Sequence, residues 1–255
     1  MTFMRWQNRS VAMFLGLAML GVIHTAHAAD DQQMRETVER VARPFSSKSS
    51  IATVKMQITN EDGQREISMK IWSLGEKILV RITSPQDEAG TAVLKEGSDI
   101  WYYLPKSNRT VQVPPSMAMN SWMGSDFTID DLVKETFLTR DYSISTFFQG
   151  KRGGIAVDEY TLTPKPDAAV VWGKIILQIR KADAVPTWQG FYDEDGQLVR
   201  ELTFSDYKLM SGRLIPTRLV MRPAGKAGAQ TTIEYEDVAF DVPISEGTFS
   251  LPNLK

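Results

Sequence analysis

The sequence predicts a mainly β fold with a few helices, an α+β domain built on one wide, curled antiparallel sheet. Three observations predict it. Apolar and polar residues alternate with period two in short runs that recur roughly every 8–12 residues, as half-buried strands do. Turn-forming clusters separate consecutive runs, so neighbours in sequence pair as hairpins and the sheet is a meander. Helical periodicity is confined to short stretches, and a sheet of roughly ten to twelve strands must curl or close.

The elements follow in order. Asp30 to Arg43 reads as a helix: Met34, Val38 and Val41 form one apolar stripe, Asp30 or Asp31 caps it, and Pro44 stops it. The period then changes to two. Ile51–Thr59 alternates, Asn60-Glu61-Asp62-Gly63 turns, and Glu66–Trp72 alternates again. Lys77–Thr83 ends at Pro85, and Thr91–Leu94, Ile100–Leu104 and Arg109–Val113 continue the meander. Pro114–Gly124 is apolar without a strand pattern. A short helix follows near Asp130–Glu135, with Thr128 as its N-cap and acidic residues in its first turn. Strands resume at Tyr142–Phe148, Ala156–Thr163, Val171–Arg180, Thr187–Tyr192, Leu198–Ser205, Thr217–Met221 and Thr231–Val238, with a further one at Phe204–Leu209. Ile244–Lys255 reads as a loop with a short helical turn. The helices need apolar cover, so the curled sheet is expected to wrap them.

Composition narrows the chemistry. The 255 residues include no cysteine and two histidines, with 42% hydrophobic and 24% charged residues and a formal charge of −2. That excludes wholesale disorder, disulfides, thiolate metal sites and a thiol nucleophile. Arg5 and Arg9 precede an apolar run, Val11–Ile23, and Ala26-His27-Ala28 has the small-x-small pattern of a signal-peptidase site. The run of about 13 residues is shorter than the ~20 that span a bilayer. Residues 1–28 are therefore expected to be a cleaved export signal, and 29–255 a single periplasmic domain. Cleavage removes both histidines and takes the formal charge to −4. Such acidity argues against nucleic-acid binding, and the lost histidines argue against an enzyme.

Two acidic groups could carry chemistry. Asp126, Asp130 and Asp131 resemble a carboxylate pair or calcium ligands, but helix capping accounts for Asp130 and Asp131. Asp193-Glu194-Asp195-Gly196 lacks full calcium-loop spacing and reads as a hairpin turn.

From Leu79 onward an ordered set of segments carries a family resemblance. They are Leu79-Val80-Arg81-Ile82-Thr83-Ser84-Pro85, Gly90-Thr91 with Leu94, and Trp101-Tyr102-Tyr103-Leu104-Pro105. Met123-Gly124-Ser125-Asp126-Phe127 with Asp130-Asp131-Leu132 follows, then Asp141-Tyr142, Pro186, Tyr192-Asp193 with Gly196, and Pro216. The chain resembles the LolA-like outer membrane lipoprotein-sorting protein family, in the branch with the Met-Gly-Ser-Asp-Phe segment. The resemblance implies an incomplete, LolA/LppX-like β-barrel closed by helices, with an apolar cavity for acyl chains and no cofactor. It also implies partners: an RND-type inner-membrane exporter or an outer-membrane acceptor.

On that basis the candidate cavity and lid residues are Leu79, Arg81, Leu94, Trp101, Tyr103, Met117, Met119, Trp122, Met123, Phe127 and Leu132. Methionine suits a surface that accepts variable apolar shapes. Arg81, sharing a strand face with Lys77 and Leu79, is placed at the cavity edge. The expected function is a periplasmic, non-enzymatic carrier of lipid or lipoprotein acyl chains. The alternative is a periplasmic sensor of RseB type that binds a partner protein, although such regulators carry an additional domain.

Overall fold

A computed structural model describes residues 32–41, 44–133, 138–168 and 170–255. The expected export signal 1–28, with Arg5, Arg9, His24 and His27, lies outside the described residues, as do Asp30, Asp31 and Arg43. Helix α1 spans residues 32–41 and turns Val38 and Val41 into the core, as the stripe requires.

Among the described residues, thirteen strands form one antiparallel sheet. They are β1 Ser49–Asn60, β2 Gly63–Leu74, β3 Lys77–Ser84, β4 Ala92–Glu96, β5 Asp99–Leu104, β6 Arg109–Gln112 and β7 Tyr142–Arg152. The second half continues with β8 Ile155–Pro164, β9 Lys174–Arg180, β10 Val185–Tyr192, β11 Leu198–Met210, β12 Arg213–Pro223 and β13 Gln230–Phe240. The expected strands Leu198–Ser205 and Phe204–Leu209 are one, β11, which continues past Asp206 at φ 53°. The strand expected from Val171 begins instead at Lys174.

The order is β6-β5-β4-β3-β2-β1-β13-β12-β11-β10-β9-β8-β7. Every neighbour is consecutive in sequence except β1 and β13, whose antiparallel pairing joins two meanders. The sheet is not closed: β6 and β7 are its two edges. The chain leaving one edge must therefore cross to the other before it can resume the sheet.

Alternation sorts the buried residues into two clusters. The larger one holds α1, Ile78, Val80, Ile82, Val93, Trp122 and Phe127, together with residues of β7–β13. The smaller one holds Leu79, Ala92, Leu94 and Tyr103, packed with Phe249 and Leu254. Along β3 and β4 the two memberships alternate residue by residue, so this part of the sheet is buried on both faces. Its outer face is covered by the C-terminal tail, which forms two 3₁₀ turns, Glu246–Phe249 and Leu251–Leu254. Ser245 starts the first by accepting a hydrogen bond from the Gly247 amide. Arg81 clasps the tail, donating to the carbonyls of Asn253 at 2.6 Å and Leu254 at 3.3 Å. Lys77 adds an ion pair to Glu246.

At the far edge, Glu159 of β8 is buried but fully satisfied. Arg152 donates to both its oxygens at 2.9 Å, and Gln178 donates at 2.7 Å. The Arg152 hydrogen bonds, partly opposed by burial, hold the Glu159 carboxyl below its ordinary value of 4.5.

Phe249 is 1% exposed. Phe249→Ala should lower stability in urea unfolding by about 3–5 kcal/mol, the usual cost of a phenyl-sized cavity; an unchanged midpoint would show the tail to be dispensable. Glu159 makes a prediction about acid. Its folded value lies below its unfolded one, so its stabilisation is complete above the unfolded value and is lost as pH falls through the folded one. Glu159→Gln should therefore be less stable than the parent near neutrality. The gap should close in unfolding titrations taken below the ordinary carboxylate range, and a gap independent of pH would contradict the assignment.

Candidate functional site

The segment between β6 and β7 crosses the inner face of the sheet. It begins with the 3₁₀ turn Pro115–Met117 and then folds on itself. Ser121 and Thr128 form an isolated β-bridge, and the Trp122 amide donates to the Phe127 carbonyl at 2.8 Å. The reversal falls on Met123 and Gly124, both left-handed at φ 53° and 75°. Glycine adopts this conformation freely, whereas methionine needs to be held there. Two contacts hold Met123: Arg65 donates to its carbonyl at 3.1 Å, and the Tyr102 hydroxyl donates to its sulfur at 3.1 Å. The reversal buries Trp122, Ser125 and Phe127.

Thr128 then caps helix α2, Ile129–Val133. Its hydroxyl accepts from the Asp131 amide at 3.0 Å, and the Asp131 carboxylate accepts from the Thr128 amide at 2.8 Å. This is a reciprocal capping box with aspartate in the acidic position. A short helix α3, Leu138–Asp141, leads into β7.

Two side chains of the second meander anchor this segment. Arg200 of β11, whose side chain is 7% exposed, makes a bidentate ion pair with Asp131, both bonds at 2.7 Å. It also donates to the Asp126 carbonyl at 3.3 Å. Its guanidinium lies 4.6 Å from the ring centres of both Trp172 and Phe191. Aromatic faces favour such a cation, and the planar fork matches the carboxylate. Thr231 of β13, fully buried, accepts from the Asp126 amide at 2.9 Å and donates to its carboxylate at 2.8 Å.

Between this anchored segment and the curved sheet lies a cavity of about 340 Å³, within the range of small-ligand pockets. Its walls include Val54, Ile71, Phe127, Phe204, Leu219 and Ile233. Phe45, just after α1, stacks on Tyr235 at the same cavity with ring centres 3.9 Å apart. The charged residues among its described lining are Asp130, Asp131 and Asp141. Asp131 is neutralised by Arg200, and Asp141 pairs with Arg140. Burial, with help from Asp141, pushes the Tyr142 hydroxyl up to about 12, so it is a neutral hydrogen-bonding group at any physiological pH. Among the described residues, no cluster of histidine, cysteine and carboxylate groups could hold a metal, and no helix is long and apolar enough to cross a membrane. The arrangement is one for enclosing an apolar molecule.

The structure separates the residues singled out from sequence. Met119, Phe127 and Leu132 line the cavity. Trp122 and Met123 pack in the large cluster behind it, and Met117 is 49% exposed. Leu79, Leu94, Trp101 and Tyr103 do not reach the cavity: they lie on the outer face beneath the C-terminal tail. Arg81 shares that face and binds the tail, not a cavity edge. Alternation had separated the two faces correctly, but both are apolar there, so pattern did not show which one is concave. Sequence reasoning missed Arg200, Thr231, Trp172 and Phe191. Arg200 lies 69 residues from Asp131 and Thr231 lies 105 from Asp126, so no local pattern links them.

Comparison with known proteins agrees with this geometry. A family model described as "Uncharacterized protein" matches residues 75–255. No curated protein matches the chain. Among solved structures, a DUF1329 family protein from Desulfovibrio piger is 21% identical with a TM-score of 0.79, covering 88% of this chain and 99% of that one. A domain assigned as an outer membrane lipoprotein-sorting protein, from Vibrio parahaemolyticus, is 26% identical with a TM-score of 0.74, covering 88% and 97%. A LolA superfamily protein from Nitrosomonas europaea is 20% identical with a TM-score of 0.72, covering 87% and 98%.

The ion pair yields a test. Asp131→Asn leaves the Arg200 charge buried without its counter-ion and should destabilise by up to about 3–5 kcal/mol. Arg200→Met should also destabilise, and the double variant should lose clearly less than the sum of the two. Urea unfolding of the four proteins measures the coupling; additive losses would mean that the pair does not fasten the segment.

Proposed function

The chain belongs to a LolA-like family, and from that premise we propose that it is a periplasmic carrier holding acyl chains in the cavity beneath the crossing segment. The observation that carries the reading is the cavity itself: largely apolar walls, a curved sheet behind, and the fastened segment 113–133 in front. The matched Vibrio domain, assigned to lipoprotein sorting, supports a lipid or lipoprotein acyl chain as the occupant.

Energetics fit a carrier. Each buried methylene contributes about 0.8 kcal/mol, so a long chain that filled a perfect cavity would scarcely leave. An open-edged sheet that encloses the chain incompletely keeps release feasible. In this reading the export pattern of residues 1–28 is cleaved and the protein works in the periplasm. Exchange with an RND-type inner-membrane exporter or an outer-membrane acceptor is supported by the resemblance of the Met123–Phe127 segment.

Native mass spectrometry of the purified mature chain should show bound or exchangeable acyl lipid. Ala52→Phe fills part of the cavity from β1 and should weaken uptake by about tenfold while, as a cavity-filling change, leaving the thermal midpoint unchanged or raised. A protein that never takes up acyl lipid, yet is retained by a protein partner, would overturn the carrier reading in favour of a sensor.

A further inference from the structure

The wall contributed by β9, β10 and β11 is apolar at Ile175, Phe191, Leu202 and Phe204. Gln189 is the exception. It sits on β10 between Leu177 of β9 and Leu202 of β11, each directly opposite in register. Gln189 and Phe191 are two residues apart in a regular stretch of strand, so they share the inner face, and both line the cavity. The carboxamide makes no hydrogen bond or ion pair with any described residue. The Ser50 and Ser73 hydroxyls differ, satisfying each other at 2.8 Å, while Tyr142 and Tyr235 line the cavity from β7 and β13, away from the β9–β11 wall.

An amide carries two donors and an acceptor. In an apolar cavity it is tolerable while water reaches it, and costly once an apolar molecule expels that water without replacing its hydrogen bonds. A plain hydrocarbon would strip it. A chain with a carbonyl or hydroxyl at the right depth would pair with it. A site built to hydrogen-bond a ligand group discriminates strongly against analogues that lack the group, because its own polar atoms are then left bare.

We propose that Gln189 is a specificity-determining residue of the cavity, hydrogen-bonding the neutral ester linkage of an acyl lipid so that ester-bearing chains are preferred over plain hydrocarbon. This rests on the acyl-carrier reading above. The amide Nε2 donates to the ester carbonyl, and Phe191, Leu202 and Phe204 bury the adjoining methylenes.

The test compares two probes of matched length, octadecane and methyl stearate, each displacing the fluorescent hydrocarbon diphenylhexatriene from the mature protein. The readout is the ratio of their affinities, compared between parent and Gln189→Met, so that differences in water solubility cancel. Methionine keeps the length and removes the amide. The ratio favouring the ester should fall by about threefold to tenfold, the range of one neutral hydrogen bond, while diphenylhexatriene still binds and the thermal midpoint holds. Gln189→Leu gives the same readout if the methionine variant folds poorly. A ratio unchanged within about twofold overturns the role of Gln189, yet leaves the carrier intact if both probes bind. Failure of the parent protein to bind any of the three molecules overturns both.

Discussion

The structure depends on how an unclosed sheet disposes of its connection. An antiparallel meander can be extended strand by strand with short turns, but here the halves are joined through β1 and β13 at the middle of the order. That choice leaves β6 and β7 at opposite edges, and the chain between them has to cross the concave face. A crossing segment whose described residues form short helical turns and a bridge within itself, and pair with no strand of the sheet, has little local reason to keep one position. The Arg200–Asp131 ion pair supplies that reason. Its worth lies in placement, since taking two charges out of water offsets much of their attraction. Trp172 and Phe191 flank the guanidinium, and the capping box ties Asp131 to its own helix, so helix start and sheet wall are joined through one carboxylate.

The cavity follows from this fastening. Trp122 and Phe127 are held against the large cluster, and Met119 and Leu132 face the space that remains. A Met-rich segment flanked by prolines reads in isolation as a mobile lid. In the fold Met123 is held through both its carbonyl and its sulfur, which ties this part of the segment to β2 and β5. The residue that fastens the segment, Asp131, thus also lines the cavity, as is common where loops are anchored over a rigid sheet.

The outer face shows the converse use of apolar surface. An antiparallel sheet ordinarily leaves one face to water, but β3–β5 bury both because the C-terminal tail folds back over them. Leu79, Leu94, Trp101 and Tyr103 belong to that packing, and Arg81 holds the tail by its last carbonyls. A sequence with large apolar residues on both faces of a strand does not reveal which face encloses a ligand and which supports a tail.

Sequence alone determined much of this protein. Period-two alternation with turn clusters marked nearly every strand, the stripe of Met34, Val38 and Val41 marked α1, and Thr128 with Asp131 marked the start of α2. These are short-range consequences of backbone geometry and side-chain parity, so they are written locally. Met119 was legible as a cavity candidate because it sits in an apolar run without strand periodicity, and Phe127 and Leu132 because they follow that run toward a short helix. Arg200 and Gln189 were not. Each looks like the polar member of an ordinary alternating strand, and only the curl of the sheet turns one toward Asp131 and the other into the cavity. Tertiary structure decided which face is concave, where the crossing segment is fastened and which polar groups are enclosed. Those outcomes depend on contacts between residues far apart in the chain, and nothing in the local pattern of either partner specifies them.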